Sequence, residues 1–177
     1  MLNHYKRAWV AALVWNSLCG AALAEPAVYH ITVKVDTNNS SNYHDISGSS
    51  AKSKQQTRQL SVTLDNRDKE LISNVSVKWA IYAHDMITNK LLTVKKDTVK
   101  TQIDALSKTT VQSAMVTMKG TPKHSVTTRK NSRGRVQISS KEQPASGVEY
   151  YGYSVAVYAG AVLIDEIYSQ PSLKPTK

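Results

Sequence analysis

The 177-residue sequence predicts an all-β protein, an antiparallel sandwich of about seven to eight short strands. Three observations carry that expectation. Apolar residues recur at every second position in short segments, polar or turn-forming stretches separate those segments, and nothing of comparable length has the period of an amphipathic helix. Strands without intervening helices bury their apolar faces against one another as a sandwich, with a small β-barrel as the alternative.

The elements follow in chain order. In residues 28–36, Tyr29, Ile31, Val33 and Val35 fall on one face against His30, Thr32 and Lys34, which makes the first strand. Residues 37–59 are rich in Ser and Asn, include Gly48, and have no apolar alternation, so they read as a long polar loop. Leu60, Val62 and Leu64 then alternate inward, and Asn66-Arg67-Asp68-Lys69 makes a charged turn. Val75, Val77, Trp79, Ile81 and Ala83 form the longest alternating face in the chain, and the two segments are expected to be paired central strands. Residues 90–103 mix Leu91, Leu92, Val94 and Val99 with lysines, the composition of an edge strand or two guarded against aggregation. Residues 97–109 compete weakly as a helix, against their Thr-rich, β-branched content. Residues 111–118 make a further strand. Residues 148–158 alternate Tyr151, Tyr153, Val155 and Val157 against Gly152, Ser154 and Ala156, turn at Ala159-Gly160 and return over 161–168, until Pro171 and Pro175 end the ordered region.

Trp79, in the middle of a strongly alternating strand, resembles the core tryptophan of immunoglobulin-like sheets, here without a disulfide partner. The runs Leu60-Ser61-Val62-Thr63-Leu64-Asp65-Asn66 and Val75-Ser76-Val77-Lys78-Trp79-Ala80-Ile81-Tyr82-Ala83 are similar to fibronectin type III-like and CARDB-like exported bacterial domains. The segment Tyr150 to Ala159-Gly160, with Leu163, resembles uncharacterised exported proteins of Verrucomicrobia-type bacteria. The likeness covers most of residues 28–173. It implies an immunoglobulin-like (fibronectin III-like) β-sandwich, and its structural motifs carry over no catalytic residue.

The N-terminus has the layout of a cleaved signal peptide over residues 1–24. Lys6 and Arg7 are followed by an apolar run from Ala8 to Leu23, broken by Asn16, Ser17, Cys19 and Gly20, and Ala22-Leu23-Ala24 offers a small-x-small cleavage site. The run is too short and too interrupted for the roughly 20 apolar residues of a membrane-spanning helix. Residues 25–177 then form a single exported domain, periplasmic or extracellular, with no transmembrane span and no cysteine. At about 150 residues it buries enough surface to fold without a disulfide. It retains 21 Lys and Arg against 13 Asp and Glu, a net charge of +8.

Most of that charge sits in residues 119–141, where Lys119, Lys123, Arg129, Lys130, Arg133, Arg135 and Lys141 occur with no acid among them. Cations so dense attract phosphate, sulfate or carboxylate polymers, and arginines bind such groups bidentately. Lys123, Arg129, Lys130, Arg133 and Arg135 are the candidate anion-binding residues. The segment has no aromatic residue on which bases would stack, which argues against single-stranded nucleic acid. The bland alternative is a solvated hairpin tip. The second signal is the tyrosine cluster at 150, 151, 153 and 158. Alternation places Tyr151 and Tyr153 inward and Tyr150 and Tyr158 outward, so Tyr150 and Tyr158 are the candidate partner contacts.

Catalytic and cofactor motifs are lacking. His30, His44, His84 and His124 stand in no recognised pattern, and the adjacent pairs His44-Asp45 and His84-Asp85 point to opposite faces of a strand. Asp36, Asn38, His44 and Asp45 lack the spacing of a calcium or zinc site. The expected function is therefore a non-enzymatic, cofactor-free interaction or structural module of the cell envelope, partnered by an envelope protein. A binding module for anionic polymers such as lipid A or acidic glycans comes second, and a hydrolase with a triad assembled from distant positions third.

Overall fold

The computed structural model describes residues 28–132 and 134–176. Ten strands make up almost all of it. They are β1 (Ile31–Asp45), β2 (Lys52–Asn66), β3 (Ile72–Asp85), β4 (Leu91–Ile103), β5 (Lys108–Gln112), β6 (Val116–Thr121), β7 (His124–Ser132), β8 (Arg135–Gln143), β9 (Ser146–Ala159) and β10 (Val162–Tyr168). A single 3₁₀ turn, Pro171–Leu173, follows. No helix among the described residues is long and apolar enough to cross a membrane. The signal-peptide reading of residues 1–24 lies outside the described residues.

Eight strands share one antiparallel hydrogen-bonded ladder that folds over itself as a sandwich. One half is β1-β2 with β5 and β6 in succession along the far side of β2, and the other is β4-β3-β9-β10. Among the described residues the ladder runs from one half to the other through two pairs, Gly120 with Gly147 and Thr121 with Ser146. The expected β-sandwich is therefore found, and the ladder does not close into a barrel. Between the halves lies one core built from the alternating residues, Leu60, Val62 and Leu64 from β2, Val75, Val77, Trp79, Ile81 and Ala83 from β3, Val155, Val157 and Ala159 from β9, with Val116 and Met118 from β6. Tyr29, Ile31, Val33 and Val35 cover one flank.

Three expectations change in the structure. Residues 37–59 are no loop, because β1 and β2 pair without interruption from Ile31↔Asn66 to Asp45↔Lys52, leaving a turn over residues 46–51. β1 is exposed from Asn38 onward, and the buried positions of β2 in this stretch are the polar Gln56 and Arg58, so no apolar alternation marks it. β2 and β3 are not paired neighbours but face each other across the core. An alternating apolar face is the same whether its partner lies beside it or opposite it. The 111–118 strand is two, β5 and β6, split where Ser113 turns its hydroxyl to the backbone amide of Leu60 at 2.9 Å.

Gly147 makes the junction between halves possible. Its φ is +84°, and a Cβ there would stand 2.1 Å from the carbonyl oxygen of Lys119. Gly147→Ala is expected to cost about 1–3 kcal/mol from the left-handed backbone alone, with the backbone collision added. A lowered urea midpoint, together with faster exchange of amides around Gly120 and Gly147, is the expected reading, and an unchanged midpoint would refute the junction.

The start of β1 is held by a clamp that sequence spacing did not reveal. Asp68 accepts the His30 backbone N–H at 2.9 Å, and its other carboxylate oxygen lies 2.7 Å from His30 Nδ1. The His30 amide, and secondarily the ring, hold the Asp68 carboxyl below its ordinary value. A folded-state pKa depressed in this way gives stability that is present above the unfolded value near 4 and lost as the pH falls through the lower folded value. Carboxyl titration by NMR should place Asp68 below free aspartate, and Asp68→Asn should flatten the acid side of the stability profile. An ordinary Asp68 titration would contradict the clamp.

Candidate anion-binding arm

Residues 124–143 leave the sandwich as a two-stranded arm, whereas Lys119 of the basic stretch lies in β6, paired with Gln55 of β2. β7 and β8 pair from His124↔Gln143 to Ser132↔Arg135 and belong to no other sheet, which makes them a hairpin. Arg133 lies outside the described residues. Nearly every described position of the arm is exposed, Val136 and Ile138 among them. Such a two-stranded ribbon, with no core of its own, depends on its attachment to the body.

The attachment is the turn of the β1–β2 ribbon. The Thr127 backbone N–H donates to the Gly48 carbonyl at 2.8 Å. Gly48 has φ +75°, and a Cβ there would lie 2.8 Å from the Thr127 oxygen and 3.3 Å from Val126 Cγ1. Only glycine allows this approach. The supposed polar loop thus seats the arm, a role hidden from sequence because it depends on two distant backbones meeting.

Cross-strand partners share a face of a β-ribbon, which sorts the cations. One face has Lys141 beside Val126, Thr128 beside Ser139, Lys130 beside Gln137, and Arg135 at the end of the ladder. The other has Arg129 beside Ile138 and Val136 beside Asn131. Lys130 and Arg135 are therefore brought together, with Lys141 on the same face, whereas Arg129 is separated from them. Lys123 stands at the foot, where its Nζ is 2.8 Å from Glu142. The hydrogen bond to that carboxylate, with its charge, raises the lysine's pKa and partly neutralises it for other anions. Glu142 lies one residue beyond the acid-free stretch. Among the described residues, Arg129, Lys130, Arg135 and Lys141 form no ion pair with an acid.

The cationic face is long. From the level of Lys141 to that of Arg135 the ribbon advances six residues, or about 20 Å. Thr128, Ser139 and Gln137 share that face with the cations and can donate and accept hydrogen bonds. No single phosphate spans such a length, but a linear polyanion with hydroxyl groups matches it in charge and extent.

The tyrosine expectation needs a correction. Between Tyr82↔Gly152 and Ala83↔Tyr150 the β3–β9 register shifts, leaving Tyr151 as an extra residue. The bulge inverts the alternation. Tyr150 consequently packs against the core, under the guanidinium of Arg58 at 4.6 Å, and burial pushes its phenol pKa up. Tyr151 faces outward, against the His84 ring at 4.4 Å. Tyr158 does lie on the outer side, but the Lys78 ammonium covers its ring at 4.4 Å. Tyr150 and Tyr158 do not form a joint platform.

Several other titratable groups hold turns or ion pairs. Asp85 Oδ1 accepts the backbone amides of Ile87 at 2.9 Å and Thr88 at 2.7 Å, closing the β3–β4 turn, and these bonds lower its pKa. Asp45 pairs with Lys52 and Asp36 with Lys34, and no three His, Cys, Asp or Glu among the described residues gather as a metal site. Beside the arm's foot lies a cleft of about 240 Å³ between Tyr43, Met86 and Pro122, where Lys54 is taken up by Glu149 at 2.9 Å.

No protein-family model matches this chain, and no curated protein does. The likeness to fibronectin III-like and CARDB-like domains therefore rests on the residues quoted for it.

Proposed function

We propose that this chain is an exported, non-enzymatic interaction module of the cell envelope, and that its β7–β8 arm lies along an anionic polymer, a phosphorylated or uronate-bearing glycan. The observation that carries the reading is the alignment of Lys141, Lys130 and Arg135 on one exposed face over about 20 Å, with hydroxyl and amide side chains between them. Export is supported by the signal-like residues 1–24. Residues brought together along a surface ribbon, rather than around a cavity, suit recognition of an extended charged chain. Arginine contributes bidentate bonds and lysine point charges.

The test compares retention of the purified protein on phosphorylated, uronate and neutral glycans, and on lipid A, at low and high salt. Retention on the anionic ligands that falls with salt, and falls further in a Lys130→Ala/Arg135→Ala/Lys141→Ala variant, is the expected result. Equal retention on neutral glycans, or indifference to the triple substitution, would overturn it.

A further inference from the structure

The β4-β3-β9-β10 half of the sandwich ends in two strands that are each hydrogen-bonded on one side only, and their charges are opposite. β4 carries Lys95, Lys96 and Lys100 beside a single acid, Asp97, whereas β10 carries Asp165 and Glu166 and no base. None of these six groups is engaged in an ion pair among the described residues. We propose that copies of this chain join edge to edge, β10 of one against β4 of the next, extending the sheet from molecule to molecule.

The direction of the strands favours this pairing. Successive strands in the order β4-β3-β9-β10 are antiparallel, so the two outer strands also run opposite ways. A second copy shifted sideways along the sheet therefore presents its β4 antiparallel to the first copy's β10, in the alignment that a β-ladder needs. Both strands expose polar edges able to pair.

The side chains match by level on the outer face, and the attraction rests there, because on the inner face Asp165 falls opposite Val99 with Asp97 on one diagonal. Following the registers across the sheet, Glu166 is paired with Ala156, Ala156 with Lys78, and Lys78 with Thr98. An unstaggered neighbour then sets Glu166 opposite Thr98, with Lys96 and Lys100 at the two diagonal positions on the same outer face. Long side chains reach such diagonal partners. The same charges reject the competing pairings. Two β4 edges oppose lysines to lysines, and two β10 edges oppose acids to acids. Lysines on an edge usually prevent sheet-to-sheet association, but here they exclude the symmetric contacts while leaving the asymmetric one attractive. An asymmetric contact of this kind does not stop at two copies, and the sheet's twist would wind the chain of molecules into a helical filament.

The test is a charge swap. Protein made from the full-length reading frame is followed by sedimentation velocity over a concentration series. The native chain is expected to grow past the dimer. Asp165→Lys/Glu166→Lys, which makes both edges basic, should remain monomeric, as should Lys95→Glu/Lys96→Glu/Lys100→Glu, which makes both acidic. Mixing the two variants should restore assembly, because each then offers an edge complementary to the other, and restoration also shows that both are folded. A native chain that stays monomeric, assembly that ends at a dimer, or variants that fail to assemble when mixed would overturn the proposal. None of these substitutions lies in the arm, so the outcome is separate from that of anion binding.

Discussion

Trp79→Ala is expected to lower unfolding free energy by about 3–5 kcal/mol, the usual cost of emptying a buried aromatic site. Trp79 is 3 % exposed, lies at the middle of β3, and is flanked in the sheet by Asp97 of β4 and Val155 of β9. It faces the core shared by both halves of the sandwich, so its removal loosens each. Domains of this kind are stable by about 5–15 kcal/mol, and the substitution therefore takes a large fraction of the total. Trp79→Phe should cost clearly less. The indole Nε1 is buried without a hydrogen-bond partner, an arrangement that already costs the native state, and phenylalanine removes that donor while keeping most of the ring. Urea unfolding followed by far-ultraviolet circular dichroism measures both. Equal losses in Ala and Phe, or a loss below about 1 kcal/mol in Ala, would show that Trp79 is not the centre of the core.

Removing Lys130, Arg135 and Lys141 together should weaken binding to an anionic glycan about ten- to a hundred-fold at low salt. Each exposed contact is individually modest, and the effect comes from losing three that act on one chain. Substituting Lys34, Lys69 and Lys174 by Ala removes the same formal charge from sites outside the arm. If bulk charge governed attraction, the two triple variants would bind alike. If the arm governs it, only the first loses affinity and only the first has a shallower salt dependence, since fewer counterions are released on binding. Arg129→Ala alone should have a smaller effect, because Arg129 faces the other side of the ribbon beside Ile138.

The fold was legible wherever burial imposed a period of two. Leu60, Val62 and Leu64, the five alternating residues of β3 from Val75 to Ala83, and Val155 and Val157 all point inward as their alternation required. It failed where burial gave no signal. In the ribbon formed by residues 37–45 and 52–59, β1 is exposed from Asn38 onward and the buried positions of β2 are the polar Gln56 and Arg58, so no apolar pattern marks its strands. Tyr150 and Tyr151 exchanged faces because a bulge shifts parity by one residue, and no residue at that point announces a bulge. Charge density made the arm conspicuous, but which cations share a face depended on the β7–β8 register. Arg129 and Arg135, close in sequence, were separated by it. The Gly48 to Thr127 tether joins backbones 79 positions apart and leaves no local trace.

The central claim, that the arm is the binding element, is tested most directly by following backbone amide shifts while the protein is titrated with a phosphorylated glycan. The account predicts shifts over residues 124–143 and at the 46–49 turn that seats the arm, largest near Lys130, Arg135 and Lys141, and reversed by added salt. Shifts centred instead on the sandwich, or an arm that does not respond while the protein binds, would contradict it.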